Sequence, residues 1–253
     1  MKHLLLSAIA SLPLWGVHAT RAAEITLIAP GGIRAALDLL VPAFEQTSGH
    51  KVTATYASGG GTKQRVIQGE HFDVPIVQPP YDTVVASGHV VAASATPLAG
   101  VFVGIAVRAG APKPDISTAQ AVKRLLLGAA TISYPNAANG AAAGASFNAT
   151  LHQLGITEAM KPKIRLASRG SEAMVLLAKG EVEIGITFMS EMVGEPGIEI
   201  IGPLPREIST PTDFVAFISA HTTESEAAKA LIAFLSSPDA AQAYQSRGMT
   251  PGG

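Results

Sequence analysis

Short apolar runs of strand length alternate with helix-period patterns along nearly the whole chain, which restricts the fold to α/β units on a largely parallel sheet. Ile25–Ala29 reads as a strand, broken by Gly31-Gly32. Ile33, Ala36, Leu37, Leu40, Val41 and Phe44 then recur at helical spacing, with Pro42 placed to kink the helix. Val52–Tyr56 reads as a strand, Thr62–Gln68 as a helix and Val74–Val77 as a strand. The run Val101–Val107 has the length of one buried strand. The scheme then repeats. Thr131–Tyr134 is a strand, a Gly/Ala/Asn-rich loop leads to a helix over Ser146–Leu154, and Ile164–Ala167, Glu172–Ala178 and Glu183–Phe188 read as strand, helix and strand. Near the end, Thr223-x-x-Glu226 forms a capping box for a helix over Ala227–Leu235. Ser237-Pro238 opens a last helix that Gly248 stops.

Within this alternation lies an internal echo. Ala57-Ser58-Gly59-Gly60 leads through a helix to Gly69-Glu70 and the strand Asp73–Val77, and Ala167-Ser168-Arg169-Gly170 leads through a helix to Gly180-Glu181 and the strand Glu183–Phe188. The echo predicts two lobes built alike, each presenting a Ser/Gly turn at a helix start. Ala95–Gly100 and Gly202–Pro211 carry the Pro and Gly expected where the chain crosses between lobes.

The N-terminus reads as a cleaved secretory signal over residues 1–23: Lys2, an apolar stretch from Leu4 to Val17, then small residues up to Ala23. The stretch is short of the ~20 apolar residues of a membrane span. With no cysteine, a disulfide scaffold, a thiol nucleophile and a lipid-anchored cysteine are excluded. These features predict a soluble protein free in the periplasm. Loss of Lys2 and Arg21 from 18 basic residues leaves 16 against 19 acidic, a net charge of −3, and no basic excess suggests a nucleic-acid partner.

Catalytic motifs are scarce. His3 and His18 fall in the signal, and His50, His71, His89, His152 and His221 form no pair with metal-ligand spacing. There is no Gly-x-Ser-x-Gly elbow, P-loop or Gly-x-Gly-x-x-Gly. No metal or cofactor is expected. Lacking a paired acid–base or nucleophile set, the chain reads as a binding protein and not an enzyme.

Four turns place small residues just before a helix: Pro30-Gly31-Gly32, Ser58-Gly59-Gly60-Gly61-Thr62, Asn139-Gly140-Ala141-Ala142-Ala143-Gly144 and Ser168-Arg169-Gly170-Ser171. A helix start has free backbone N–H groups and the positive end of the dipole, and small side chains let an oxyanion reach them. In a parallel α/β sheet such turns gather at the carboxyl ends of the strands, where ligands bind. Arg34, Lys63 and Arg169 lie close by, and Arg169 could take a carboxylate with both arms of its guanidinium.

In order and spacing, Ile25–Phe44, Tyr56–Gly69 with Phe72-Asp73, Pro162–Phe188 and Ala227–Met249 resemble the periplasmic molybdate-binding proteins of ABC transporters and, more broadly, type II solute-binding proteins. The resemblance implies a two-lobed α/β fold that closes on its solute about a hinge, with lobe one formed by residues 24–98 and 212–253 and lobe two by 99–211. It also implies a monomer that delivers a small anionic solute to a membrane permease and its ATPase. By position it places the site at Gly32, Ser58, Gly59, Gly60, Gly140, Ala141, Ala142, Gly170 and Phe188, to which the small-residue turns add Gly31, Asn139 and Arg169 as ligand-binding candidates. Molybdate receptors carry a serine where this chain has Gly32 and a tyrosine where it has Phe188, so two hydroxyl donors are absent. The loop Pro135–Gly144 is also longer than a molybdate receptor's. The expected ligand is a molybdate-like oxyanion, with an organic di- or tricarboxylate as the rival. A periplasmic isomerase or lyase on the same fold, using Asp73 or Glu172, is a further alternative, as is a sensory receptor.

Overall fold

The computed structural model describes residues 22–252, so the expected signal peptide lies almost wholly outside the described residues. The first half contains β1 (Glu24–Pro30), α1 (Gly31–Ser48), β2 (Lys51–Ala57), α2 (Gly59–Ile67), β3 (Val74–Val77), α3 (Asp82–Ala86), β4 (Thr96–Val101) and β5 (Val103–Arg108). There follow α4 (Ala119–Gly128), β6 (Ile132–Pro135), α5 (Ala142–Gln153), α6 (Thr157–Met160), β7 (Ile164–Ala167), α7 (Gly170–Ala178), β8 (Ile184–Phe188) and α8 (Met189–Met192). The chain ends with β9 (Ile198–Pro203), β10 (Thr212–Ala216), α9 (Ser225–Leu235), α10 (Pro238–Ser246) and β11 (Met249–Pro251).

Two sheets form, in the orders β11-β4-β10-β3-β1-β2 and β7-β6-β8-β5-β9. The echoed units β2–α2–β3 and β7–α7–β8 occupy equivalent places in them. In each sheet an edge strand, a central strand and a third strand run parallel, and the strands beyond run antiparallel. The sheets are therefore mixed, and the parallel part is the part that presents the Gly/Ser turns. Helices cover both faces. Ile25, Leu27 and Ala29 of β1 pack against one set of buried side chains, and Ile28 against a second set with Val66, Phe72 and Phe217. Burial on both faces is why the strand reads as a continuous apolar run.

The run Val101–Val107 is not one strand. It breaks at Phe102, where the chain leaves the first sheet as β4 and enters the second as β5. Ala99–Val101, expected in lobe two, thus continue the first sheet. The return crossing is the segment between β9 and β10. Leu204 N–H donates to Val103 O (2.9 Å), tying the two crossings together. Val101 and Val103 are both buried, so an apolar signal persists through a point where the chain changes sheets.

Helix starts also differ from expectation. Three helices begin two to four residues early, at Gly59, Ala142 and Gly170, because the small-residue turns are themselves the first helical turns. At α9 the expected capping box does not form. The N-cap is Glu224 without a side-chain bond, and Thr222 Oγ1 accepts from Glu224 N–H (3.0 Å) instead. Ser237 caps α10 as expected, and Gly248 ends it with φ +67°.

Candidate functional site

Four helix starts converge on a cleft of about 670 Å³ between the two sheets. From the first lobe come Pro30–Gly32 at the start of α1 and Ser58–Gly59 at the start of α2. The second lobe contributes Ala141–Ala143 from α5, Ser168–Ser171 from α7, and Phe188, Ser190 and Glu191 around β8–α8. Only α2 has a side-chain cap here, Ser58 Oγ accepting from Gly61 N–H (3.1 Å). The N-caps of α1, α5 and α7 are Pro30, Ala141 and Arg169, and none makes a side-chain cap bond. Three helix starts therefore face the cleft with donors that no side chain of the cap satisfies.

Of the residues expected in the site, Gly31, Gly32, Ser58, Gly59, Ala141, Ala142, Arg169, Gly170 and Phe188 line this cleft. Gly60 and Gly140 instead line a neighbouring cavity of about 690 Å³, together with Lys63. Asn139 lines neither cavity; its N–H donates to Asn136 O (3.1 Å) within a turn. Gly60 and Gly140 hold the lobes together. Gly60 N–H donates to Gly140 O (3.0 Å), and a Cβ on Gly60 would lie 3.0 Å from Gly140 Cα. A second cross-lobe bond runs from Ser190 Oγ to Gly32 O (2.6 Å) and is buried.

The cations differ in how free they are. Arg34 lies over the Tyr56 ring (5.0 Å) and is paired with Asp38 (3.4 Å). Tyr56 Oη also reaches Asp38 (3.4 Å), and burial, reinforced by the Asp38 carboxylate, pushes the phenol up to about 12. Lys63 Nζ donates to Pro80 O (3.1 Å), and burial lowers its pKa. Arg169 is exposed at the cleft and has no ion pair among the described residues.

The two acids named with the enzyme alternative do structural work outside the cleft. Asp73 is buried and accepts from Thr26 N–H (2.8 Å), Thr26 Oγ1 (2.7 Å) and Thr222 Oγ1 (2.6 Å). Burial opposes its charge, but these donors hold its carboxyl below the usual range. Glu172 accepts from the Ser168 hydroxyl and from Ser168 N–H (2.7 Å), tying the segment before α7 to its first turn. Its pKa is lowered by those same bonds.

Two polar groups that the sequence reading missed do face the cleft. Gln78 follows β3 directly, is 2% exposed, and its Oε1 has no hydrogen-bond partner. A Cβ on Gly59 would collide with it. Glu191, on α8, has its carboxyl against Gly170, where a Cβ would collide with Oε2, and 4.0 Å from a Cβ position on Gly31. Thr187 Oγ1 donates to it (2.6 Å). Burial pushes its carboxyl up, against the Thr187 hydroxyl and Phe188 N–H, which pull it down. Both residues sit just past a strand end, the same positional signal that pointed to the Gly/Ser turns, but neither belongs to a small-residue motif.

The fold and the cleft define a two-lobed α/β protein with four helix starts around one cleft. The chain belongs to the family described as bacterial extracellular solute-binding protein, which matches over residues 25–250. It is 32% identical over 249 residues to the aconitate isomerase of Pseudomonas sp, covering 96% of this chain and 93% of that one. The expected resemblance to molybdate-binding proteins is found as well: 26% identity over 241 residues to the Azotobacter vinelandii molybdate-binding protein, covering 91% of each. The periplasmic molybdate-binding protein structure from Azotobacter vinelandii superimposes with a TM-score of 0.75 at 19% identity, covering 90% of this chain and 99% of that one. The expectation that the chain is not an enzyme is corrected by the first of these relatives, an isomerase by name that aligns over nearly the full length of both chains. The sequence alone left an isomerase or lyase as an alternative only, because the chain carries no paired catalytic motif.

Proposed function

We propose that this protein is an exported isomerase of a small unsaturated polycarboxylate such as aconitate, bound and converted in the cleft between the lobes. The observation that carries the reading is a half-buried carboxyl, Glu191, set among the helix starts that would hold an anion. A receptor for a fully ionised oxyanion needs donors alone, and a carboxylate among them opposes binding. Chemistry on a carbon acid needs both donors and a base. Aconitate is a propene bearing three carboxylates. The starts of α1, α5 and α7 and the guanidinium of Arg169 supply donors on several sides of such a molecule. The relative named aconitate isomerase, at 32% identity, supports the same substrate class.

Gly32 and Phe188 support it also. The Phe188 ring takes the space that a side chain at residue 32 would need, with Phe214 behind it. The wall that carries hydroxyls in a molybdate receptor is apolar here, and suits a carbon frame. Arg169→Ala should weaken tricarboxylate binding, since a charged hydrogen bond is worth about 1.5–3 kcal/mol. Isothermal titration with cis- and trans-aconitate, molybdate and sulfate tests the reading. Heat from the tricarboxylates with none from molybdate supports it, and tight molybdate binding alone sinks it.

A second reading is a periplasmic uptake receptor that passes its anion to a permease and ATPase, acting as a monomer. The likeness to molybdate-binding proteins favours it. Turnover by the purified protein with no transporter present separates the two.

A further inference from the structure

Resting on the isomerase reading, we propose that Glu191 is the catalytic residue that carries the proton between two carbons of the substrate. The cleft is lined by two carboxylates, Asp38 and Glu191. Asp38 has a side chain 53% exposed, at the edge, held by Arg34 and Tyr56. Glu191 lies at the meeting point of the lobes. Its Oε2 is fixed by the Thr187 hydroxyl against Gly170, and its Oε1 faces the first turn of α1 at Gly31. The glycine at 170 is required by this arrangement, because any Cβ there would displace both the hydroxyl and the carboxyl. A carboxyl anchored at Oε2, with Oε1 towards the start of α1, is positioned to exchange a proton with a ligand between α1 and α7.

The step balances without a cofactor. Glu191 takes a proton from the CH2 carbon; an O–H bond forms as the C–H bond breaks, and that electron pair becomes a new C=C bond. The electrons of the old C=C bond move to the far carbon and into its carboxylate. The free N–H groups at the starts of α1 and α7 and the Arg169 guanidinium stabilise this developing charge. Glu191 then returns its proton to the far carbon, where a C–H bond forms. The two carbons are separated by one atom, so one carboxyl on one face serves both. Which geometric isomer forms depends on how the outer carboxylate is turned when the double bond closes. Burial favours the protonated carboxyl, which matches its basicity to carbon better than that of an exposed glutamate.

The test compares wild type with Glu191→Gln and Glu191→Asp for aconitate turnover, tricarboxylate binding and thermal melting. Glu191→Gln is expected to bind tricarboxylate while kcat falls by about 10²–10⁴-fold, with Glu191→Asp recovering part of it. Wild-type kcat should fall as the pH drops through an ionisation above the ordinary glutamate value of about 4.3, where the base becomes protonated. The other charged or titratable groups on the cleft are Arg34, Asp38, Tyr56 and Arg169, and of these only Asp38 is also a carboxylate. An Asp38→Asn variant should therefore keep the acid limb. A Glu191→Gln variant turning over at the wild-type rate overturns the inference. Should that variant not fold, a Glu191→Asp kcat equal to wild type, or an acid limb that vanishes in Asp38→Asn, overturns it instead. A wild-type protein that binds tricarboxylate but never isomerises it removes the isomerase reading and this inference together. An active wild type with an active Glu191→Gln removes the inference alone.

Discussion

A Cβ built on Gly32 would lie 2.8 Å from Phe188 Cδ2 and 3.1 Å from Phe214 Cζ. Restoring the serine of a molybdate receptor there is overpacking, not a gain of a donor. Gly32→Ser should destabilise the fold by about 1–3 kcal/mol and leave molybdate unbound. Urea unfolding and titration with molybdate check the two halves of that statement. Asp73 makes a prediction of a different kind. Its pKa is lower folded than unfolded, so its contribution to stability is present above the ordinary carboxylate value of about 3.9 and lost as the pH falls through the folded value. Asp73→Asn should lower stability near neutrality by about 2–4 kcal/mol, because the Thr26 and Thr222 donors lose their charged acceptor. The gap between the two proteins should narrow in acid, from about pH 5 downward, in denaturant melts of both.

The elements that hold the cleft are joined by backbone approaches that tolerate no side chain. Gly140 has φ +77°, and a Cβ there would meet Ser58 Oγ at 2.9 Å and Gly60 Cα at 3.1 Å. Gly140→Ala should cost about 1 kcal/mol for the left-handed backbone and also push α2 away from α5. KM should rise more than the melting temperature falls, and small-angle scattering should show a less compact ligand-bound state. Much of this element-scale organisation was legible in the residues. The echo from Ala57 to Val77 and from Ala167 to Phe188 identified two equivalent units, and the small-residue turns identified helix starts. The crossing at Phe102 was not legible, because buried apolar residues flank it on both sides and hydropathy carries no mark of a change of sheet. Helix starts were placed too late where glycine and alanine form the first turn, since low propensity there is overridden by Ser58 capping and lobe packing. Nor did Glu191 or Gln78 signal themselves. Their meaning comes from burial at the cleft and from the glycines opposite them, which are tertiary facts.

At the scale of the whole molecule, two α/β lobes meet at a cleft ringed by the starts of α1, α2, α5 and α7, with the half-buried Glu191 carboxyl where the lobes meet. On the proposed isomerase reading, binding and chemistry use the same residues: the helix starts that would hold the anion would also stabilise the charge that develops on it. A proton-transfer site of this kind needs no metal and no paired motif. The central claim is that the cleft converts what it binds. Proton NMR of cis-aconitate incubated with the purified protein tests it most directly. The vinyl resonance of trans-aconitate should grow in at a rate proportional to protein concentration until the two isomers reach equilibrium. A cis-aconitate spectrum unchanged against a protein-free control, from folded protein that binds the compound, would contradict the account.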